Sequence, residues 1–449
     1  MGFLKRLFGV SSKYSAPAAS LPPLPYPKRT LSDHLSPAGR KRVLALDGGG
    51  VRGVMAIAVL ERIEALLRER HGNHPDFRLC DYYDLIGGTS TGSIIAAALA
   101  GKRFSASEIK DFYFDMAPGV FKGSFFRKGL WHALFDGKRL LKQLEDVFGD
   151  MTLGSEDIAT GFALIAKRVD TNSVWVLHNH PDALYFNDPP DGSYLGNRHY
   201  PIANIVRGST AAPHYFQPER IEILKGREYG LFVDGGITPH NNPCFQLLML
   251  AGLRNYNYGW TLSQDDLIMH SIGTGSMAVK LHEKEIRQKL QITRTLEALT
   301  SMISGNEDFI ELLMQWVGDS PDPKVIDSEI GDLRDDYLTS QPLLSIQRYQ
   351  SVLGQKELER DFGIKLSDKH LATVRNMTDP AGMALAYEIG QAMAETLVRD
   401  VHFPERFDLT ASGEPAHPAE VEEPEMETAP MLRAAEGGKL AHILGRLER

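Results

Sequence analysis

Apolar residues change their spacing twice in the first quarter of the chain, each time from a continuous run to a helical repeat. Residues 43–46 form a short apolar run bounded by glycines, which predicts a buried strand. From Val51 to Leu67 the apolar residues recur on one helical face. Residues 82–86 predict a second strand, and residues 94–99 predict an apolar helix that follows a Gly/Thr/Ser turn. The pattern therefore predicts two strands that each lead directly into a helix.

Further apolar runs alternate with helical segments along the rest of the chain. A capping-box sequence that begins at Ser105 predicts a helix as far as Met116. Strands that alternate with helices are typical of α/β proteins whose sheet is covered on both faces. The sequence therefore predicts a three-layer α/β/α fold with a central, mostly parallel sheet. The other predicted elements are strands over residues 162–169, 174–177, 231–233 and 267–272, and helical regions over residues 283–315 and 367–401.

The composition narrows the class of protein. A net charge of -9 argues against a surface that binds nucleic acid polymers. Cys80 and Cys244 lie far apart and outside any CxxC pattern, which argues against a zinc site or a disulfide framework and favours a reducing compartment. No stretch has the roughly 20 apolar residues that cross a bilayer. We therefore predict a cytoplasmic protein, which could also bind peripherally at the inner face of the membrane.

Both ends of the chain differ in composition from the middle. Residues 10–38 are rich in Ser, Pro and Ala, and we predict that residues 1–38 form a flexible arm. Residues 1–9 mix apolar and basic side chains, which fits either a short helix on an anionic membrane surface or a frayed tail. Residues 411–449 predict an acidic, Pro-rich tail with a short terminal helix. Residues 39–410 are left as one domain, with a helical extension from about residue 280.

A G-x-S-x-G pentapeptide lies at the second predicted strand-to-helix turn. It spans Gly88 to Gly92, with Ser90 at its centre. A tight turn at this point exposes the serine hydroxyl at the edge of the sheet, as a nucleophile requires. The following helix directs its N-terminus towards the place where negative charge develops. The position of the pentapeptide between strand and helix makes Ser90 the candidate nucleophile.

A glycine-rich loop occupies the first strand-to-helix turn, from Asp47 to Gly53. Consecutive glycines leave backbone N–H groups accessible to a substrate, as an oxyanion hole requires. Arg52 could bind a phosphate or anchor the loop to a carboxylate. The same loop also matches the G-x-G-x-x-G pattern of dinucleotide-binding folds. That pattern expects a second strand with an acidic end, whereas the next predicted strand leads to Ser90.

Asp234 follows an apolar strand and precedes two glycines, a position that suits a catalytic carboxylate as well as a turn-capping one. No histidine stands out as a partner for the serine. His214 and His240 are the nearest candidates by segment, and each fits a loop or pocket residue better than a base. His178 and His180 lie two residues apart after a strand, but they lack a carboxylate at metal-ligand spacing. We therefore predict that both lie in a surface loop.

Together, the loop at 47–53, the pentapeptide at 88–92 and the aspartate motif at 234–236 resemble the patatin-like phospholipases. The three motifs occur in the family's order, and the resemblance covers residues 41–280. It implies a patatin-like fold and a Ser-Asp dyad that needs no histidine, metal or organic cofactor. The residues it implies are Ser90 and Asp234 as catalytic, Gly48, Gly49 and Gly50 as the oxyanion hole, and Arg52, Gly88 and Gly92 as supporting residues.

The resemblance also implies a function. Patatin-like enzymes cleave acyl esters of glycerophospholipids, so the implied products are a fatty acid and a lysolipid, and the implied partner is a phospholipid membrane surface. The chain is similar to bacterial patatin-like effectors that cyclic nucleotides activate in antiphage defence, which implies a cyclic nucleotide activator and leaves room for a homo-oligomer. The alternative is a nucleotide- or lipid-binding module that uses the glycine loop without hydrolysis.

Overall fold

The fold is built around one mixed β-sheet. The computed structural model describes residues 24–121, 137–277 and 291–409, and eight strands within these residues form the sheet. The predicted basic-apolar segment at residues 1–9 and the predicted tail at 411–449 lie outside the described residues. The strands are β1 (Lys41–Leu46), β2 (Leu85–Thr89), β3 (Gly161–Arg168), β4 (Ser173–His178), β5 (Glu219–Leu224), β6 (Glu228–Asp234), β7 (Leu267–Ile272) and β8 (Ser345–Tyr349).

The strand order is β5-β6-β3-β2-β1-β7-β8, and β4 also pairs with β3. Strands β3, β2, β1, β7 and β8 run parallel to their neighbours in this order. The pairs of β3 with β4, β3 with β6 and β5 with β6 are antiparallel. The centre of the sheet is therefore parallel, and its antiparallel strands gather at the β3 side.

The described residues contain twelve α-helices. Most of them lie between consecutive strands, as expected where parallel strands are joined by crossovers. The helices are α1 (Leu31–Leu35), α2 (Gly53–Arg70), α3 (Leu79–Tyr82), α4 (Thr91–Lys102), α5 (Ala106–Val120), α6 (Gly137–Phe148), α7 (Ile202–Ser209), α8 (Cys244–Gly252), α9 (Gln291–Val317), α10 (Gln355–Phe362), α11 (Asp368–Arg375) and α12 (Met383–Leu397).

Helices cover both faces of the sheet and create two apolar cores. In β1, Leu44 and Leu46 pack into the core that contains α2, α4, α5 and α12. Val43 and Ala45 point to the other face and pack into the core that contains α8 and α9. Because successive residues of a strand face opposite sides, a strand that is apolar throughout needs helices on both sides. The predicted three-layer α/β/α fold is confirmed.

Several predicted elements need correction. The second strand begins at Leu85 rather than at Tyr82, because Leu79–Tyr82 form the short helix α3. Residues 24–38 of the predicted arm are not a free linker: Tyr26 and Leu35 are buried, and Thr30 caps α1. The spacing of the sequence also missed β5 and β8. None of the helices in the described part of the chain combines the length and apolar character needed to span a bilayer.

Candidate active site

Ser90 lies at the sharp turn between β2 and α4. Its backbone has φ 53° and ψ -123°, a left-handed conformation that a serine rarely adopts. The turn can close because Gly88 and Gly92 touch: a Cβ atom built on Gly88 would lie 2.2 Å from the carbonyl carbon of Gly92. The Gly88–Gly92 motif therefore folds as predicted, and it leaves the Ser90 side chain partly exposed at the end of the strand.

The register along β3 brings Asp234 to Ser90. Ile165 of β3 pairs with Thr89, the last residue of β2, and the next residue, Ala166, pairs with Asp234, the last residue of β6. The last residues of β2 and β6 therefore pair with neighbouring residues of β3, which brings the two strand ends together. The Ser90 hydroxyl donates a hydrogen bond of 2.6 Å to the Asp234 Oδ2 atom. This is the distance at which a carboxylate can accept the proton of a nucleophile.

The Asp234 side chain is largely shielded from solvent. It is only 5% exposed, and its Oδ1 atom accepts a hydrogen bond of 2.7 Å from the Gly236 N–H. Burial raises the pKa of the Asp234 carboxyl to about 6, although the Ser90 and Gly236 hydrogen bonds and the charge of Arg207 oppose the rise. A carboxylate with a raised pKa is a stronger base than an ordinary one.

This pKa predicts a pH dependence. Asp234 can accept a proton only when it is ionised, so esterase activity should fall about tenfold per pH unit below about pH 6. The measurement is kcat/KM for a soluble short-chain ester between pH 4.5 and 8, where the ester itself does not titrate. A rate that is constant down to pH 4.5 would contradict the assignment of Asp234 as the base.

Ser209 of α7 supports the strained turn, a role that motif spacing along the chain did not predict. The Ser90 N–H donates a hydrogen bond of 3.0 Å to the Ser209 hydroxyl, which donates in turn to the Ile165 carbonyl at 2.7 Å. The Ser90 N–H is therefore occupied and is not one of the donors open to a substrate.

The glycine loop between β1 and α2 borders the same pocket as Ser90. The Gly48 N–H donates to the Asn241 carbonyl at 3.2 Å, so the prediction of Gly48 as an oxyanion donor is corrected. The N–H groups of Gly49 and Gly50 have no hydrogen-bond acceptor among the described residues. Gly50 has φ 58°, and a Cβ atom there would lie 2.1 Å from the Met377 carbonyl oxygen, so this position requires glycine.

A buried ion pair anchors the loop to the sheet. Arg348 of β8 donates to both carboxylate oxygens of Asp47, at 2.9 and 2.6 Å, and also to the Ser271 hydroxyl at 2.6 Å. Sequence reasoning missed Arg348, because nothing along the chain links it to Asp47, 301 residues away.

Replacing Arg348 with leucine should lower the free energy of unfolding by about 3–5 kcal/mol, because Asp47 would remain buried without its counter-charge. Urea unfolding measures this loss. Arg360→Leu is a suitable control, since Arg360 pairs with Asp361 in solvent and should cost no more than about 1 kcal/mol. Equal losses in the two variants would contradict an anchoring role for the Asp47–Arg348 pair.

Arg52 lies buried in the wall of the pocket. Its Nε and Nη1 atoms have no hydrogen-bond partner in the described structure. Burial lowers the pKa of Arg52 to about 10, and the negative charge of Glu307 counteracts this effect. The guanidinium therefore stays charged at neutral pH, and it does not form the predicted loop-anchoring contact with a carboxylate among the described residues.

The pocket beside Ser90 is mostly apolar. Ser90, Gly49, Gly50 and Arg52 line it together with a larger apolar surface. A concave apolar site with a few converging polar groups is typical of a binding site for a largely apolar ligand. The apolar side chains that line it include Ile94, Met116, Val120, Phe121, Leu140 and Phe216.

The histidines take no part in this arrangement. Within the described residues, neither His214 nor His240 hydrogen-bonds to Ser90 or Asp234. The prediction that His178 and His180 lie in a surface loop is wrong, because both are buried against Tyr258. Burial lowers the pKa of His178 to about 3. The described residues contain no cluster of His, Cys, Asp and Glu arranged to hold a metal ion.

Comparisons with known proteins agree with these motifs. Residues 44–248 match the family described as Patatin-like phospholipase. A cGAMP-activated phospholipase of Escherichia coli (strain TW11681) is 33% identical over 239 residues, which cover 52% of this chain and 62% of that protein. Patatin-16 of Solanum tuberosum is 29% identical over 291 residues, which cover 59% of this chain and 69% of that protein. The chain thus spans less than two thirds of the length of the E. coli relative.

A structural comparison matches the chain in part to solved structures, which include the human GIVD cytosolic phospholipase A2. Its TM-score is 0.40 at 11% identity, and the match covers 89% of this chain and 63% of that chain. VipD from Legionella pneumophila gives a TM-score of 0.35 at 11% identity, covering 79% of this chain and 67% of that chain.

The fold and the site define the class of protein: an α/β/α domain in which a serine at a strand-to-helix turn contacts a buried carboxylate beside unoccupied glycine N–H groups. The order of the three motifs and the match over residues 44–248 specify this class further. Residues 44–248, which contain all three motifs, form a patatin-like phospholipase domain.

Proposed function

We propose that this chain is a serine lipid acyl hydrolase that cleaves acyl esters of glycerophospholipids. The observation that carries the proposal is the 2.6 Å hydrogen bond from the Ser90 hydroxyl to the buried Asp234 carboxylate, in the wall of a mostly apolar pocket. A nucleotide-binding module would leave this contact without a role. In the proposal Ser90 is the nucleophile, Asp234 is the general base, and Gly49 and Gly50 donate to the oxyanion.

The first half of the reaction forms an acyl-enzyme. The Ser90 oxygen attacks the ester carbonyl carbon while Asp234 takes the hydroxyl proton, and the negative charge moves to the carbonyl oxygen. The N–H groups of Gly49 and Gly50 stabilise that oxygen, since they have no other acceptor within the described residues. The ester bond then breaks, and the departing lysolipid oxygen takes the proton from Asp234.

The second half of the reaction returns the enzyme to its starting state. Asp234 takes a proton from a water molecule, and the resulting hydroxide attacks the carbonyl carbon of the acyl-Ser90 ester. The bond between the carbonyl carbon and the Ser90 oxygen breaks, and the proton held by Asp234 returns to that oxygen. The fatty acid leaves, and no metal or organic cofactor enters either half.

The apolar wall of the pocket supports a lipid substrate. Side chains from α4, α5 and α6, such as Ile94, Met116 and Leu140, offer an acyl chain a surface that excludes water. Arg52, which also lines the pocket, supplies a buried positive charge. We propose that the protein binds peripherally to the cytoplasmic face of a phospholipid membrane, whose lipids are its substrate.

The test is fatty-acid release from mixed phospholipid vesicles, without added calcium, by wild type, Ser90→Ala and Asp234→Asn. Release by the wild type that both variants lose would support the proposed mechanism. Release that survives Ser90→Ala would contradict it and would direct the search to another nucleophile.

We further propose that a cyclic nucleotide activates this hydrolase and that the hydrolase acts in antiphage defence. The E. coli relative is named a cGAMP-activated phospholipase, which supports the activation. A requirement for the nucleotide would keep the enzyme inactive until it is needed, because a permanently active phospholipase would damage the cell's own membrane. Cyclic GMP–AMP and other cyclic di- and trinucleotides should each be added to the vesicle assay, and one of them should raise release by about tenfold or more. Full activity without any nucleotide would contradict this proposal. Light scattering with and without the active nucleotide would measure whether a homo-oligomer forms.

A further inference from the structure

Glu307 brings a second carboxyl group to the pocket from outside the family match. It lies on α9, beyond residues 44–248, and it lines the pocket together with Ser90 and Asp234. Helix α9 packs against the two short turns that follow Asp234, Gly235–Ile237 and Pro239–Asn241. A residue at this position can therefore affect the backbone that carries the base.

Asn241 joins the two loops of the site. Its carbonyl oxygen accepts the Gly48 N–H at 3.2 Å, and its Nδ2 atom donates to the Gly48 carbonyl at 3.4 Å. A Cβ atom built on Gly48 or on Gly236 would lie 2.3 or 2.6 Å from the Asn241 Oδ1 atom. The amide group is therefore packed between the oxyanion loop and the loop after Asp234, with no space to shift towards either.

Glu307 of α9 holds the side-chain amide of Asn241 in place. Its Oε1 atom accepts a hydrogen bond from Asn241 Nδ2. The charged groups that act on Glu307 are Asp47, Arg348 and Arg52. Burial, followed by the charge of Asp47, raises the pKa of Glu307 to about 7, while Arg348, the Asn241 hydrogen bond and Arg52 oppose the rise.

We propose that Glu307 is a positioning residue: by accepting the Asn241 amide, it fixes the Gly48 peptide and therefore the adjacent N–H groups of Gly49 and Gly50. The proposal rests on the proposed hydrolase function. An oxyanion hole depends on donors that are in place before the charge develops, and an error of about 1 Å in the position of such groups can cost 10²-fold in rate.

The two protonation states of Glu307 should position the loop differently. An ionised carboxylate accepts an amide N–H more strongly than a neutral carboxyl group does. The loop is therefore held more firmly above about pH 7, and kcat should increase as the pH rises through about 7. This rise is separate from the loss of activity below about pH 6 that Asp234 causes.

The kinetic test compares Glu307→Ala, Glu307→Gln and the exposed control Glu395→Gln across pH 5 to 9. We expect Glu307→Ala to lower kcat by about tenfold or more, with a smaller change in KM. Glu307→Gln keeps an oxygen that accepts the Asn241 amide, so it should recover most of kcat but lose the rise through pH 7. Wild-type kcat in Glu307→Ala, or a wild-type pH profile in Glu307→Gln, would overturn the proposal.

A second measurement does not depend on activity. Hydrogen–deuterium exchange of the peptide that contains residues 47–53 should be faster in Glu307→Ala than in wild type, because the Gly48 N–H bonds to Asn241. If Glu307→Ala does not fold, the pH profile of Glu307→Gln decides. Faster exchange in a protein that releases no fatty acid with any of the cyclic nucleotides would mean that the proposed hydrolase function fails and the positioning role stands. Unchanged exchange would overturn the positioning role.

Discussion

Replacing Ser90 with alanine should lower fatty-acid release by about 10⁴-fold or more. The variant keeps the pocket, Asp234 and the free N–H groups of Gly49 and Gly50, but it cannot form an acyl-enzyme. Loss of a serine nucleophile in a hydrolase commonly costs 10⁴- to 10⁶-fold in kcat. Release from vesicles, followed under conditions in which the wild type turns over many times, measures the loss.

The control for Ser90→Ala is Ser328→Ala, which removes an exposed hydroxyl that lies outside the pocket. It should keep wild-type activity. Mass spectrometry after rapid mixing with an activated ester should detect an acyl group on Ser90 in the wild type and none in Ser90→Ala. An acyl group on another residue of an active enzyme would show that Ser90 is not the nucleophile.

Replacing Asp234 with asparagine should also abolish release, by about 10³-fold or more, and should stabilise the fold at the same time. Asparagine can donate to the Ser90 oxygen and accept from the Gly236 N–H, so the hydrogen bonds of the site remain satisfied. It cannot take a proton, and the serine therefore loses its base. Lost activity together with higher stability is expected because Asp234→Asn removes a buried charge.

The gain in stability has a sign that depends on pH. The folded-state pKa of Asp234 is about 6, above its ordinary value of 3.8, so ionising this group costs the folded protein more than the unfolded chain. The stability that the wild type has below about pH 3.8 is lost as the pH rises through 6, to a total of about 3 kcal/mol. Asp234→Asn avoids that loss, and its advantage should be larger at pH 8 than at pH 5.

Urea unfolding at both pH values, with Asp115→Asn as the control, measures this effect. Asp115 is exposed on α5, so its replacement should change the free energy of unfolding by less than about 0.5 kcal/mol at either pH. An Asp234→Asn variant that is less stable than the wild type at pH 8 would show that the buried charge of Asp234 does not destabilise the folded protein.

Spacing along the chain was enough to find the residues of the site that belong to short motifs. Gly88, Ser90 and Gly92 were predicted because a tight strand-to-helix turn needs glycines at fixed positions around the serine. The place of Asp234 after a strand and before two glycines suited either a catalytic or a turn-capping residue, and the resemblance to the patatin-like phospholipases made it the predicted base. These signals are local, so a single sequence contains them in full.

The residues that spacing missed act across long distances in the chain. Arg348 holds Asp47 from a strand 301 residues away. Ser209 accepts the Ser90 N–H from a helix 119 residues further on. Glu307 reaches Asn241 from a helix outside the matched motifs. A single Arg, Ser or Glu has no sequence signature, because its role depends only on what the fold places beside it.

The sequence by itself determined the α/β/α class and the candidate nucleophile, base and glycine loop, because strand and helix periodicities and turn motifs are local properties of the chain. The tertiary structure alone decided that Ser90 and Asp234 are in contact. It did so through the register of β3, whose neighbouring residues Ile165 and Ala166 pair with the last residues of β2 and β6. It also decided which glycine N–H groups are free, since the Gly48 N–H is occupied by the carbonyl of Asn241. Strand register and hydrogen-bond competition between distant segments arise from packing, and no local pattern encodes them.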